Sequence, residues 1–209
     1  MLPLFRTAAG DRENQDRGAV ITLPTGTVLV VADGAGGVAG GAEAAAAAIA
    51  LVKQEAAELD SAAACATVLR GLDQQILQDE HAGETTCVLA ILRAGEIFGA
   101  SVGDSGAWVI GETHVTDLTQ HQRRKPLLGS GAASPVEFSR TSDARSETVL
   151  LATDGLLKYA PVGRIAEICR GFKYEDCTQR LIDLVRYPSG GLPDDVTLIL
   201  ASLTRSSGL

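Results

Sequence analysis

The strand-like runs of this sequence come in blocks and do not alternate with helices, and that order constrains the fold more than any other feature. Residues 18–23 and 27–32 are apolar, β-branched runs joined by a Pro-Thr-Gly turn. The alanine-rich stretch that follows predicts a helix over 38–59, and Ser61 is placed to cap a second over 61–81. Three more strand-like runs follow, 85–93, 96–102 and 107–111, the first two joined by "RAGE" as a hairpin turn. Residues 111–135 are polar, glycine-bearing and irregular. A strand at 147–152, helices at 162–171 and 175–186 and a last strand at 196–203 complete the pattern. Without βαβ alternation the chain reads as α+β with mostly antiparallel sheets, and against a doubly wound parallel sheet.

The same strands share a second property. "VLVVADG" ends at Asp33, "IFGASVGDSG" at Asp104 and "TVLLATDG" at Asp154. Asp194 and Asp195 in "GGLPDDVTLIL" stand just before a strand, as does Asp16 in "DRENQDRG". Each is a carboxylate on a rigid support, beside glycine or another small or polar residue that lets backbone approach a ligand. An isolated Asp-Gly is ordinary turn chemistry. Five acidic strand ends in one chain of 209 residues point instead to a site for a hard divalent cation such as Mg²⁺ or Mn²⁺, which takes oxygen ligands. Two such cations sharing a carboxylate could activate a water for attack on a phosphoryl group.

Other chemistries fit less well. Gly34, Gly36 and Ala39 match the dinucleotide fingerprint G-x-G-x-x-A, but no clear second strand ends in an acidic residue about 20 residues on, as a ribose ligand requires. Cys87 and Arg93 have the spacing of a cysteine phosphatase loop, yet "VLAIL" between them has no glycine and reads as a buried strand. His81, His114 and His121 lack zinc spacing and read as surface residues, Ser105 is not in a G-x-S-x-G elbow, and no G-x-x-x-x-G-K-[ST] is present. Trp108 reads as core.

In their order, "RENQD", "VADGAGG", "GETTCVLAIL", "SVGDSG", "LLATDG" and "PDDVTLIL" resemble the metal-dependent protein serine/threonine phosphatases of type 2C, the PPM family. The resemblance runs from about Arg12 to Leu200. It implies a four-layer α/β/β/α sandwich, two mostly antiparallel sheets flanked by helices, with two Mn²⁺ or Mg²⁺ ions in a cleft at one edge. It implies hydrolysis of phosphoserine and phosphothreonine in proteins by a metal-activated bridging water. By position, Asp33 would bridge the ions and the Gly34 carbonyl would bind the second. Asp154 and Asp194 would complete the first. Asp16 would hold a water or reach the second ion, and Asp104 matches the aspartate linked to a third, weaker ion. Asp195 would support its neighbours. Asp33, Asp154, Asp194 and Arg12 would be the catalytic set.

The chain departs from the family at several points. Gln15 replaces a common glutamate, and Arg12 lies one residue closer to its motif than the usual phosphate-binding arginine. The contact would then come from Arg12 after a backbone adjustment, or from Arg6. Ala35 stands where some members have a histidine proposed as general acid, Gly106 replaces an arginine, and the flap region of about 112–146 is short. Arg123, Arg124 and Lys125 in that flap could attract a phosphopeptide or simply be solvated. These departures keep open an alternative, a weak or dead pseudophosphatase that binds phosphoproteins as a scaffold.

The net charge of −8 argues against nucleic acid as a partner. The longest purely apolar run, 44–52, is far short of the roughly 20 residues that span a bilayer. No signal peptide is evident at the start, and Cys65, Cys87, Cys169 and Cys177 form no C-x-x-C pair. The expectation is a single cytoplasmic domain over 1–209, monomeric, with signalling substrates phosphorylated by a serine/threonine kinase.

Overall fold

The computed structural model describes residues 1–10, 13–35, 40–142 and 147–203. The strands are β1 (Leu4–Ala8), β2 (Arg17–Leu23), β3 (Gly26–Ala32), β4 (Cys87–Arg93), β5 (Glu96–Val102), β6 (Gly106–Ile110), β7 (Val115–Asp117), β8 (Val136–Thr141), β9 (Glu147–Ala152) and β10 (Val196–Leu203). The helices are α1 (Gly41–Glu55), α2 (Ala62–Leu77), α3 (Asp154–Leu157), α4 (Val162–Gly171) and α5 (Tyr174–Leu184).

The strands form two five-stranded sheets, β1-β10-β9-β6-β7 and β2-β3-β4-β5-β8, and every pairing is antiparallel. Period-two alternation sorts the core into three layers. On β3, Val28, Val30 and Ala32 face the layer under α1 and α2, while Leu29 and Val31 face the opposite sheet. On β10, Val196, Leu198 and Leu200 face the layer shared with α4 and α5, while Ile199, Ala201 and Leu203 face inward. Buried on both faces, the central strands read as unbroken apolar runs. This is the α/β/β/α sandwich expected.

Three strands are absent from the sequence reading. β1, β7 and β8 lie at sheet edges, each paired on one side only, and their burial patterns are mixed or exposed. Their stretches therefore carry little apolar signal. β7 falls within the segment read as irregular. The helix expected over 38–59 begins at Gly41 and gives way to a 3₁₀ turn, Ala56–Glu58, while the stretch 36–39, with Gly36 and Ala39 of the glycine-rich run, lies outside the described residues. Ser61 caps α2 as expected, accepting the Ala64 amide at 3.1 Å. All four cysteines are free, and three of them are buried.

Candidate active site

Register brings the acidic strand ends together. Arg17 pairs with Ala32, so Asp16, one residue before β2, lies beside Asp33, one residue after β3. Ala152 pairs with both Leu198 and Gly106, so the end of β9 meets the start of β10 and of β6. Asp154, Asp194 and Asp104 follow from that pairing to one edge of the sandwich. There a cleft of about 250 Å³ is lined by Asp33, Gly34, Asp104, Asp154 and Asp194, with Arg124, Lys125 and Lys158 as its cations.

Asp33 is fixed from behind. Its amide donates to Thr86 Oγ1 at 3.0 Å, and its carbonyl accepts from the Thr86 amide and Thr85 Oγ1, both at 2.9 Å. Thr86 Oγ1 also pairs with Ser105 Oγ at 2.7 Å, linking this strand end to the turn that carries Asp104. Two Asp-Gly steps are required by close approach. A Cβ at Gly34 would stand 2.3 Å from the Gly41 carbonyl oxygen, and one at Gly155 only 1.9 Å from that of Asp195.

The carboxylates crowd one another. Asp33 is pushed up to about 9 by burial first, then by the charges of Asp16, Asp154 and Asp194, and it shares a hydrogen bond with Asp154. Asp154 is raised by burial and by Asp104 and Asp194, against the pull of Lys158, whose Nζ lies 3.8 Å away. Asp16 is raised to about 7, mainly by burial. It does not line the cleft but lies beneath it, 3% exposed, with Oδ2 accepting from Thr153 Oγ1 at 2.8 Å. Asp194 is exposed at the rim. Asp195 also borders the cleft, but its two oxygens hold the loop before β2, accepting the Gly10 and Gln15 amides at 2.8 and 2.7 Å.

This donor set fits hard divalent cations. Its ligating atoms are oxygens, and burial together with mutual repulsion raises Asp33 and Asp154, with Lys158 pulling Asp154 the other way. Among the described residues, no three acidic, histidine or cysteine side chains already share one ligation point.

Two expectations about the phosphate-binding arginine meet the structure differently. Arg12 lies outside the described residues. Arg6 is engaged elsewhere, with Nε donating to Thr178 Oγ1 and a terminal nitrogen to Gln179 Oε1 on α5. The cations at the cleft come from positions the sequence left undecided or unnoticed. Arg124 Nε sits 2.6 Å from Asp104 Oδ2, Lys125 stands beside it, and Lys158 closes the first turn after Asp154. The i, i+4 spacing of Asp154 and Lys158 was the available signal, hidden because α3 is only one turn long. Gln15 and Ala35 line the same cleft. Cys87 is buried within β4 with its thiol pushed up to about 12 by burial, which removes the cysteine-nucleophile alternative.

A sandwich of two antiparallel sheets with acidic strand ends gathered at one edge defines a class, and comparison with known proteins agrees. Residues 7–186 match the family Protein phosphatase 2C, and the chain belongs to it. Among curated proteins it is 27% identical over 164 residues to "Protein phosphatase PTC7 homolog fig" of Drosophila ananassae, covering 57% of this chain and 49% of that protein. The chain thus spans about half the length of that relative. Among solved structures, a bacterial serine phosphatase superposes with a TM-score of 0.87 at 21% identity, covering 100% of both chains. The catalytic domain of the serine/threonine protein phosphatase PstP, solved with two manganese ions, gives 0.80 at 22% identity, covering 98% of each. At these identities the likeness to solved structures is one of fold.

Proposed function

We propose that this protein is a Mn²⁺- or Mg²⁺-dependent phosphatase that hydrolyses phosphoserine and phosphothreonine in proteins. The observation that carries this reading is the gathering of Asp33, Asp104, Asp154 and Asp194 in one cleft rimmed by Arg124, Lys125 and Lys158. Asp33, the Gly34 carbonyl, Asp154 and Asp194 would hold two ions, with Asp16 supporting them from below and Asp104 serving a third. When bound, such ions neutralise phosphoryl oxygens and lower the pKa of a water for in-line attack.

The chain's own groups do the rest. Lys158, Lys125 and Arg124 draw a phosphate dianion into a cleft whose floor is acidic. Thr86, itself bonded to Ser105, fixes the backbone that carries Asp33 before substrate arrives. Ala35 cannot protonate the departing serine oxygen. The Lys158 ammonium, which lines the same cleft, would be the side chain available to donate a hydrogen bond to it.

Two neutral residues lining the cleft, Gln15 and Ala35, favour a second reading, a phosphoprotein-binding scaffold with little turnover. Assays of p-nitrophenyl phosphate and of a phosphothreonine peptide, each with Mn²⁺ and with EDTA, separate the two. Metal-dependent turnover of both substrates supports the phosphatase. Absence of turnover by folded, Mn²⁺-treated protein supports the scaffold. A phosphatase serving a kinase in the cytoplasm remains the biological setting we infer.

A further inference from the structure

One buried carboxylate has no part in the cleft. Asp73 lies on α2, is 3% exposed, and is not among the residues lining the site. Its Oδ1 accepts the Gly129 and Gly131 amides at 2.8 and 3.0 Å, and its Oδ2 accepts the Ala133 amide at 3.2 Å. Every second amide of one loop therefore converges on a single side chain. The loop is shaped for this, with Gly129 at φ +96° and Gly131 at φ +73°. A Cβ at Gly131 would stand 2.7 Å from Leu77 Cδ2, so the loop lies flush against the end of α2.

The same loop continues directly from a wall of the cleft. Leu128, next to Gly129, exchanges two backbone hydrogen bonds with Thr85 at 3.0 and 3.1 Å, and Thr85 bridges on its other side to Gly34. Leu127, Lys125 and Arg124, just upstream, line the cleft. Asp73 thus holds one end of a small ladder, Leu128–Thr85–Gly34, whose far end is the turn after Asp33.

We propose that Asp73 is a positioning residue for substrate binding: by clamping the 129–133 loop to α2 it fixes the wall that presents Arg124 and Lys125 to a phosphopeptide. This rests on the phosphatase reading above. The ladder also touches the Asp33 carbonyl through Thr85 Oγ1, but Asp33 keeps two further bonds to Thr86, so the larger effect of the clamp falls on binding.

The test uses the full chain with Mn²⁺ and compares Asp73→Asn with Ser61→Ala. The first removes the charge and places an NH₂ group against at least one of the loop amides. The second removes the N-cap of the same helix without touching the loop. For Asp73→Asn, KM for a phosphothreonine peptide should rise about threefold or more with kcat within about twofold, the pattern of lost uniform binding. Amide hydrogen exchange at Leu128 and Thr85 should quicken by about tenfold. Ser61→Ala should lower Tm and leave KM and loop exchange unchanged. Gly131→Ala perturbs the same contact from the loop side and should reproduce the KM rise, which decides the matter if Asp73→Asn fails to fold. Wild-type KM and exchange in the folded variants, or an equal KM rise in Ser61→Ala, would overturn the proposal. Absence of turnover by the wild type would count against the phosphatase reading alone, and the exchange data would still judge the clamp.

Discussion

Residues in this cleft gather carboxylates closely enough for their charges to raise Asp33 and Asp154. Burial alone raises Asp33, and three neighbouring carboxylates raise it further. Lys158 offsets part of that charge at Asp154 but is half exposed, so its pairing contributes little to stability, about 0.5 kcal/mol or less after solvent screening. Its value lies in presenting a cation to an incoming phosphate. Lys158→Ala should therefore leave Tm nearly unchanged and raise KM for a phosphopeptide by about threefold to tenfold, measured by initial rates over a substrate series. Asp195 is the opposite case, an acid engaged with backbone. Asp195→Ala strips the acceptor from the Gly10 and Gln15 amides and should cost about 1–2 kcal/mol in urea unfolding. The acids themselves were legible in the sequence because each sits at a strand end beside glycine or another small or polar residue. Their division of labour was less so. Nothing in "DRENQDRG" shows that Asp16 would lie beneath the cleft, bonded to Thr153 just past a strand more than a hundred residues away.

At the level of elements, the two sheets are joined at one margin by a charged pair. Arg140 on β8 donates to both oxygens of Glu147 on β9, at 3.0 and 2.8 Å. Burial pushes Glu147 upward, but hydrogen bonds from Arg140 and Ser142 and the charges of Arg140 and His114 outweigh it and hold the carboxyl below the usual range. Glu147→Gln leaves Arg140 without its counter-charge and should destabilise by about 2–3 kcal/mol, read as a lower urea midpoint with unchanged slope. The elements most visible in the sequence are those buried on two faces. The strands Glu96–Val102, Glu147–Ala152 and Val196–Leu203 and the helix Val162–Gly171 occur where the apolar periodicity placed them. Among the edge strands β2 is legible from its β-branched run, whereas β1, β7 and β8 carry little apolar signal because an edge needs only one buried face, and β7 is three residues long. The loop at 129–133 also escaped notice. Its "GSG" reads as generic turn chemistry until Asp73 is seen beneath it.

For the whole molecule, these two groups of acids set opposite limits on pH stability. Glu147 has a depressed folded-state pKa, so its contribution is present above its unfolded value and is lost as pH falls through the folded one. Asp33 and Asp16 titrate near 9 and 7 in the folded chain, against about 4 when unfolded. Between those values the folded chain binds more protons than the unfolded one. Their contribution is therefore full below the unfolded pKa and is lost as pH rises through the folded values. Metal-free protein should show a Tm that falls between about pH 6 and pH 9, and saturating Mn²⁺ should flatten that fall by replacing protons in the cluster. A scanning-fluorimetry series across that range, with EDTA and with Mn²⁺, checks both statements.

Everything proposed for this cleft depends on the acidic strand ends together forming a divalent-cation site. Calorimetric titration of Mn²⁺ into wild type and Asp33→Asn, each in two buffers of different ionisation enthalpy, tests it most directly. The prediction is wild-type binding with release of protons, since Asp33 must lose its proton to bind, and an affinity loss of about 100-fold or more in Asp33→Asn. Equal Mn²⁺ affinity in the two proteins, or no binding by the folded wild type, would contradict it.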